Sequence, residues 1–203
     1  MPVPGALIVI EGIDGAGKST QVKALIRRLR SRGRPAVYFR EPSRSKWGRE
    51  LKRKAKQAGS LTPEQELDLF LKDRRENVAK NLKPAMAAGK VVVLDRYYFS
   101  TIAYQGAKGL DRNRIKRLNE AFAPKPDLVF ILDLGAGEGL ARISGRRKKD
   151  VLFERESYLV KVRRIFRSFK GRRFVHIDAR QGRGEIARRI FELTSEILGK
   201  KSK

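Results

Sequence analysis

The chain has 203 residues, 48 Lys and Arg against 22 Asp and Glu, and a formal charge of +26. That length suits one domain with a proper core, and with no cysteine there is neither a disulfide nor a thiolate metal site. No apolar run approaches the ~20 residues of a membrane span, and Glu11 cuts short the N-terminal apolar run that a secretory signal would need. The expectation is a cytosolic protein without a membrane partner, carrying a field that attracts polyanions and gives nonspecific affinity for nucleic acid. Its cations are dispersed along helical patterns, apart from Arg146 to Lys149 and a basic tail at 199–203, so most read as solvated helix faces.

In chain order, residues 6–10 form a short apolar run fit for a buried parallel strand. Gly12, Gly17, Lys18 and Ser19 then satisfy G-x-x-x-x-G-K-[ST], the phosphate-binding loop. Glycines at these places let successive backbone N–H groups turn inward around phosphate oxygens at a helix N-terminus. Lys18 would reach the β- and γ-phosphates, and the Ser19 hydroxyl would ligate Mg²⁺. Val22, Leu25, Ile26 and Leu29 follow at helical spacing, and Gly33 stands where that helix should stop.

Residues 36–39 form a second strand, running into Arg40-Glu41-Pro42. Thr62-Pro63-Glu64-Gln65 has the pattern of a capping box with proline at the first helical position. The helix it opens carries Leu67, Phe70, Leu71, Val78 and Leu82 on one stripe, and Arg74 falls on that stripe. A guanidinium there needs a partner. One option is an ion pair with a carboxylate such as Asp73 or Asp95; the other is a pocket in which Phe70 stacks on a base and Arg74 reads its edge. Residues 91–94, 128–134 and 174–177 complete five strand-like runs, the last holding the lone histidine, His176, in a structural place. Strands alternating with helices imply a parallel sheet covered on both faces, with ligands beyond the carboxyl ends of the strands. The phosphate loop, Arg40-Glu41-Pro42 and Asp95-Arg96-Tyr97 would crowd one crevice.

The segment Asp95-Arg96-Tyr97-Tyr98-Phe99-Ser100-Thr101-Ile102-Ala103-Tyr104-Gln105-Gly106 adds a second signature. Together with residues 11–21, Arg40-Glu41-Pro42, Leu69 to Arg74, Pro126 to Leu134 and Ile177-Asp178-Ala179, it resembles the thymidylate kinase family over nearly the whole chain. The resemblance implies a P-loop NTPase fold: a three-layer α/β/α domain over residues 1–203, a five-stranded parallel sheet, and a lid at about 139–156. It implies ATP-dependent phosphorylation of dTMP to dTDP with Mg²⁺.

Carried over residue by residue, Gly12, Ile13, Asp14, Gly15, Ala16, Gly17, Lys18, Ser19 and Thr20 would hold ATP. Arg142 would lie on adenine, and Ser19 and Asp95 would place the metal. Asp14 would bind the sugar 3′-hydroxyl, Arg96 the acceptor phosphate, and Glu41 would lie beside the acceptor. Phe70 would stack on thymine and Arg74 read its edge. Ser100 and Gln105 lie where the family contacts the base, and Tyr104 would pack on the sugar and disfavour a 2′-hydroxyl. Some members carry an arginine inside the phosphate loop; here those places are Gly15 and Ala16, so Arg146 or Arg147 of the lid would supply that charge. The resemblance also suggests a homodimer.

The chain departs from the family pattern at Ser43-Arg44-Ser45, at Lys52 in place of an arginine, and at Gly135-Ala136-Gly137. Two other readings therefore stay open: a kinase for another deoxynucleoside monophosphate, and a basic nucleic-acid-binding protein with a vestigial nucleotide site.

Overall fold

A computed structural model describes residues 5–55, 57, 60–143 and 149–201. Five strands, β1 (Ala6–Glu11), β2 (Ala36–Arg40), β3 (Val91–Asp95), β4 (Leu128–Asp133) and β5 (Phe174–Asp178), form one sheet in the order β2-β3-β1-β4-β5. Every pairing is parallel; Ile8, for example, sits between Val93 and Leu128. All six residues of β1 and all five of β3 are buried, because helices cover both faces of a parallel sheet. Each strand runs one residue further than its apolar run except β4, which stops at Asp133. The added residues are polar ones at carboxyl ends: Glu11, Arg40, Asp95 and Asp178.

Helix α1 (Lys18–Ser31) buries Val22, Leu25, Ile26 and Leu29, packs on β1 to β3 and meets α9 (Arg183–Lys201). Gly33, at φ +71, ends α1 and donates its N–H to the Arg30 carbonyl. Helices α5 (Tyr98–Ala107), α6 (Arg112–Glu120) and α8 (Lys149–Ser168) pack together, with α8 against β4. The capping box forms as the sequence predicts, with Thr62 and Gln65 bonded reciprocally at the start of α3 (Pro63–Asn77). That helix passes through a π-helical stretch at Val78–Leu82 into α4 (Lys83–Ala87). The expected basic tail is partly the last turn of α9, where Lys201 pairs with Asp127 at 2.8 Å.

The order of the strands leaves β1 central, flanked by β3 and β4, so the chain departs from β1 toward one edge and later returns to the other side. A crevice opens at such a switch point, above the carboxyl end of β1. The phosphate loop occupies that place.

Candidate active site

The loop between β1 and α1 is shaped by its glycines and by what lies against them. Gly15 has φ +82, and a Cβ there would stand 2.3 Å from the carbonyl oxygen of Gly139. Gly139 opens onto the loop in turn, its missing Cβ facing the Asp14 carbonyl at 2.6 Å. Glycine therefore meets glycine where α7 (Ala136–Ile143) docks on the loop, and an arginine at position 15 has no room unless α7 moves. This gives the absence of an arginine from the phosphate loop a physical reason. It also shows that the first residues of the expected lid belong to a docked helix.

Lys18 is 7% exposed and donates to the Ile13 carbonyl at 2.7 Å. Burial, with the nearby Arg96 charge, pulls its pKa down to about 7 against the opposing pull of Asp14, Asp95 and Glu11. The lysine is thus held desolvated inside the loop. The Ser19 hydroxyl donates to Oδ2 of Asp95, while the other Asp95 oxygen is buried with no hydrogen-bond partner among the described residues. Tyr38 and Arg40 approach the same carboxylate at 3.4 and 4.0 Å. A crevice of about 750 Å³ lies over these groups. Asp14 to Gln21 line one wall, and Arg40, Arg142, Gln181 and Arg183 stand around the rest. Arg142 donates to the carbonyls of Ala179 and Gly15, which fixes it at the rim.

A second cavity, about 190 Å³, lies next to it and includes Asp14, Glu41, Phe70, Arg74, Arg96, Ser100, Tyr104 and Gln105 in its lining. Arg96 follows β3 with φ +70, a left-handed conformation uncommon for a side chain of this size. The cost is met by its partners: its guanidinium donates to Asp14 at 2.6 Å, Ser100 at 3.0 Å, the Gly12 carbonyl at 3.3 Å and the Tyr104 hydroxyl at 3.4 Å. Burial opposes that charge, but Tyr104, Asp14 and Glu11 outweigh it and raise the pKa, so Arg96 is a fixed cation. Burial also pushes the Asp14 carboxyl up, yet Arg96 and Lys18 outweigh it and hold Asp14 below its ordinary value. Asp14 lines both cavities, so the two chambers meet at this carboxylate.

Arg74 is 1% exposed, and its partner corrects the sequence expectation. Neither Asp73 nor Asp95 pairs with it; Glu41 does, at 2.7 Å, from the segment after β2. Arg74 also donates to Asn119 of α6 and Thr101 of α5. Asp73 serves elsewhere, accepting from Ser43 and Ser45 and so fixing the loop before α2 (Lys46–Lys54). Glu41 spends its oxygens on Arg74 and Asn77; burial raises its pKa and the Arg74 charge lowers it, burial prevailing. Ser100 likewise faces protein groups, donating to Glu11 at 2.5 Å. Gln105 donates to Glu66 at 2.7 Å and keeps its Oε1 buried without a partner among the described residues. Arg44 and Lys52, where the chain departs from the family pattern, line a separate cavity of about 640 Å³ along β2.

A family model described as thymidylate kinase matches residues 10–190. The chain belongs to the thymidylate kinase family. It is similar to a thymidylate kinase of Akkermansia muciniphila, 46% identical over 186 residues that span 92% of this chain and 89% of that protein. A thymidylate kinase of Desulfotalea psychrophila is 42% identical over 196 residues, covering 96% of both chains. A probable thymidylate kinase of Archaeoglobus fulgidus is 40% identical over 195 residues, 96% of this chain and 97% of that one.

The linings of the two cavities hold the expected thymidylate kinase residues except Gly12, Ile13 and Asp95, which bond to Arg96, Lys18 and Ser19 beside them, and Arg146 and Arg147, which lie outside the described residues. Sequence reasoning missed several others. Glu11, fully buried, accepts from the Tyr97 and Ser100 N–H groups at 2.7 and 3.1 Å and ties β1 to α5; burial pushes its pKa up, with Arg96 opposing. Its signal was a carboxylate closing an otherwise apolar strand. Asn119 sits one turn after Ile115 on the buried stripe of α6, which was a readable anomaly. Tyr158 of α8 lines the smaller cavity and donates to the Tyr104 carbonyl at 2.8 Å. Nothing in its local sequence announced that.

Proposed function

We infer that this chain transfers the γ-phosphoryl group of ATP to dTMP, giving dTDP and ADP, as its membership of the thymidylate kinase family implies. The observation that carries the reading is Asp14, which walls both cavities and is ion-paired to Arg96 at 2.6 Å. Two nucleotide chambers sharing one wall suit transfer between two bound phosphates.

In this reading the larger crevice takes ATP, with backbone N–H groups of residues 12–20 and Lys18 around its phosphates and Arg142 beside adenine. The smaller takes dTMP. Phe70 packs on the base, Arg74 donates to its edge, Tyr104 and Asp14 face the sugar, and Arg96 holds the phosphate. Glu41, Thr101 and Asn119 act through Arg74, spending three of its directions and leaving it fixed toward the cavity. A phosphate monoester is largely dianionic at pH 7, its second pKa being about 6, so it attacks without a general base. The γ-phosphorus–oxygen bond to the β-phosphate breaks as the acceptor oxygen bonds to phosphorus, and ADP leaves with the electron pair. Catalysis is then in-line positioning plus neutralisation of crowded negative charge, here by Lys18 and Arg96.

The buried, unpartnered Asp95 oxygen beside the Ser19 hydroxyl fits a hydrated Mg²⁺, an ion that keeps several waters and binds through one or two protein oxygens and the nucleotide. When bound, the metal neutralises phosphate charge; Ser19 and Asp95 would hold it. Arg40 and Tyr38 orient that carboxylate.

The test is ADP release measured over a panel of nucleoside monophosphates with ATP. Turnover of dTMP at least tenfold above dUMP, dCMP and dGMP is expected. Preference for another acceptor would overturn the assignment of dTMP, and no turnover with any acceptor would overturn the reaction.

A further inference from the structure

A cavity of about 390 Å³ lies where α5, α6, the end of α8 and the start of β5 converge, and it shares no lining residue with the crevices above. Lys116 comes to it from α6, Lys125 from the loop before β4, and Lys170 and Arg173 from the connection between α8 and β5. Among the described residues none of the four has a carboxylate within ion-pair distance. The cavity's one acid, Glu120, accepts from the Tyr98 hydroxyl at 3.3 Å. Within the cavity Phe169 and Phe174 stack at 5.6 Å and 13°, both half-buried, and Phe99 meets each edge-on.

The sequence concentrates charge here. From Ser157 to Phe174 there are seven Lys or Arg and no Asp or Glu. Arg163 and Arg167 turn to Asp133, and among the described residues the other five form no ion pair. Cations that repel one another across a cavity destabilise the fold unless an anion neutralises them.

We propose that this cavity anchors single-stranded nucleic acid, with one base against the Phe169–Phe174 pair and flanking phosphates on Lys116, Lys125, Lys170 and Arg173. Backbone-tracking cations around aromatic faces are the combination that binds unpaired strands without sequence preference. The phenylalanines pack on the core from one side; a lone phosphate would make no use of their half-exposed remainder, and a duplex would present no free base to it. The proposal localises the polyanion affinity that the net charge predicts, and it stands independently of the kinase reading.

The test is fluorescence anisotropy of a labelled fifteen-nucleotide oligothymidylate with the full chain over a series of salt concentrations. The K116E/K170E/R173E variant is compared with K23E/R27E/R32E, an equal charge change on exposed residues of α1 and its C-cap. The cavity variant should lose affinity at least tenfold, with the salt slope falling by about 2, since each lost phosphate contact on a single strand contributes about 0.7. The α1 variant should lose less than threefold. Equal losses in both would overturn the proposal, because the general field alone would then account for binding. A thermal melt with the wild-type midpoint reports folding. If the reversal variant fails to fold, K116Q/K170Q replaces it, with at least threefold loss expected and none refuting. A 2-aminopurine base in the oligonucleotide should be quenched by the wild type and far less by F169L. Equal quenching, or displacement of the oligonucleotide by polyglutamate at matched charge, would also refute a strand-specific anchor.

Discussion

The crevice over the phosphate loop and the pocket beside it share Asp14 but are held in different ways. The first is drawn mostly from one stretch, residues 14–21, in which the main chain itself presents the donors. The second takes Arg74 from α3, Glu41 from the segment after β2, Thr101 from α5 and Asn119 from α6, and a fully buried guanidinium joins them. A site made of backbone needs few particular side chains, so those it has are free to be unfavourable for folding, as desolvated Lys18 is. A site made of a buried charge network ties substrate recognition to the stability of the whole chain.

Changes in each region should separate the two plans. Lys18→Met is expected to lower kcat at least 10³-fold, about 4 kcal/mol of transition-state stabilisation. It should not lower the melting temperature, because it removes a buried cation whose pKa is already depressed; parallel kinetics and thermal melts check this, and a fall of several degrees would erase the contrast. Arg74→Ala should cost about 3 to 5 kcal/mol of stability, since it strands Glu41 in the interior. Adding Glu41→Gln should restore part of that stability in denaturant titrations while the KM for the acceptor stays high. Recovery of both together would mean that Arg74 acts on the fold alone.

A smaller effect is expected at Glu11→Gln. It weakens the acceptors for Tyr97 N–H, Ser100 N–H and the Ser100 hydroxyl, a loss of about 1 to 3 kcal/mol by equilibrium unfolding. The KM for both nucleotides should rise together, because Glu11 joins the end of β1 to the start of α5.

The mildest prediction concerns pH. Lys18 has a pKa of about 7 in the folded chain and near 10.4 unfolded, so above pH 7 the folded state holds it neutral. Its contribution to stability therefore rises with pH between those two values, because the unfolded chain binds the extra proton. Phosphates favour the charged form, so nucleotide binding above pH 7 should take up a proton, approaching one per site at pH 8 and vanishing by pH 6. Calorimetry in buffers of different ionisation enthalpy measures this, and K18M should abolish it. Uptake that survives in K18M would assign the proton elsewhere.

Much of the first region was legible beforehand and little of the second. The phosphate loop is contiguous, and its spacing of Gly12, Gly17, Lys18 and Ser19 dictates a backbone shape that local sterics enforce. The capping box at Thr62 and the stop at Gly33 were readable for the same reason. Arg74 was visible only as an anomaly on an apolar stripe. Its partner could not be named, because Glu41 lies 33 residues away and reaches it through the order of strands rather than through spacing along a helix. Tyr158 and the Gly15–Gly139 contact were silent for the same cause.

By itself the sequence determined the alternation of strands and helices, the loop that takes phosphate and the signature of the family, all of which depend on patterns within a few residues of one another. Only the tertiary structure decided who neutralises Arg74, why the loop has no arginine of its own, and where Lys116, Lys125, Lys170 and Arg173 gather. Those outcomes depend on which distant segments the sheet order makes neighbours, and burial converts each such contact from a weak surface pairing into one the fold cannot leave unmet.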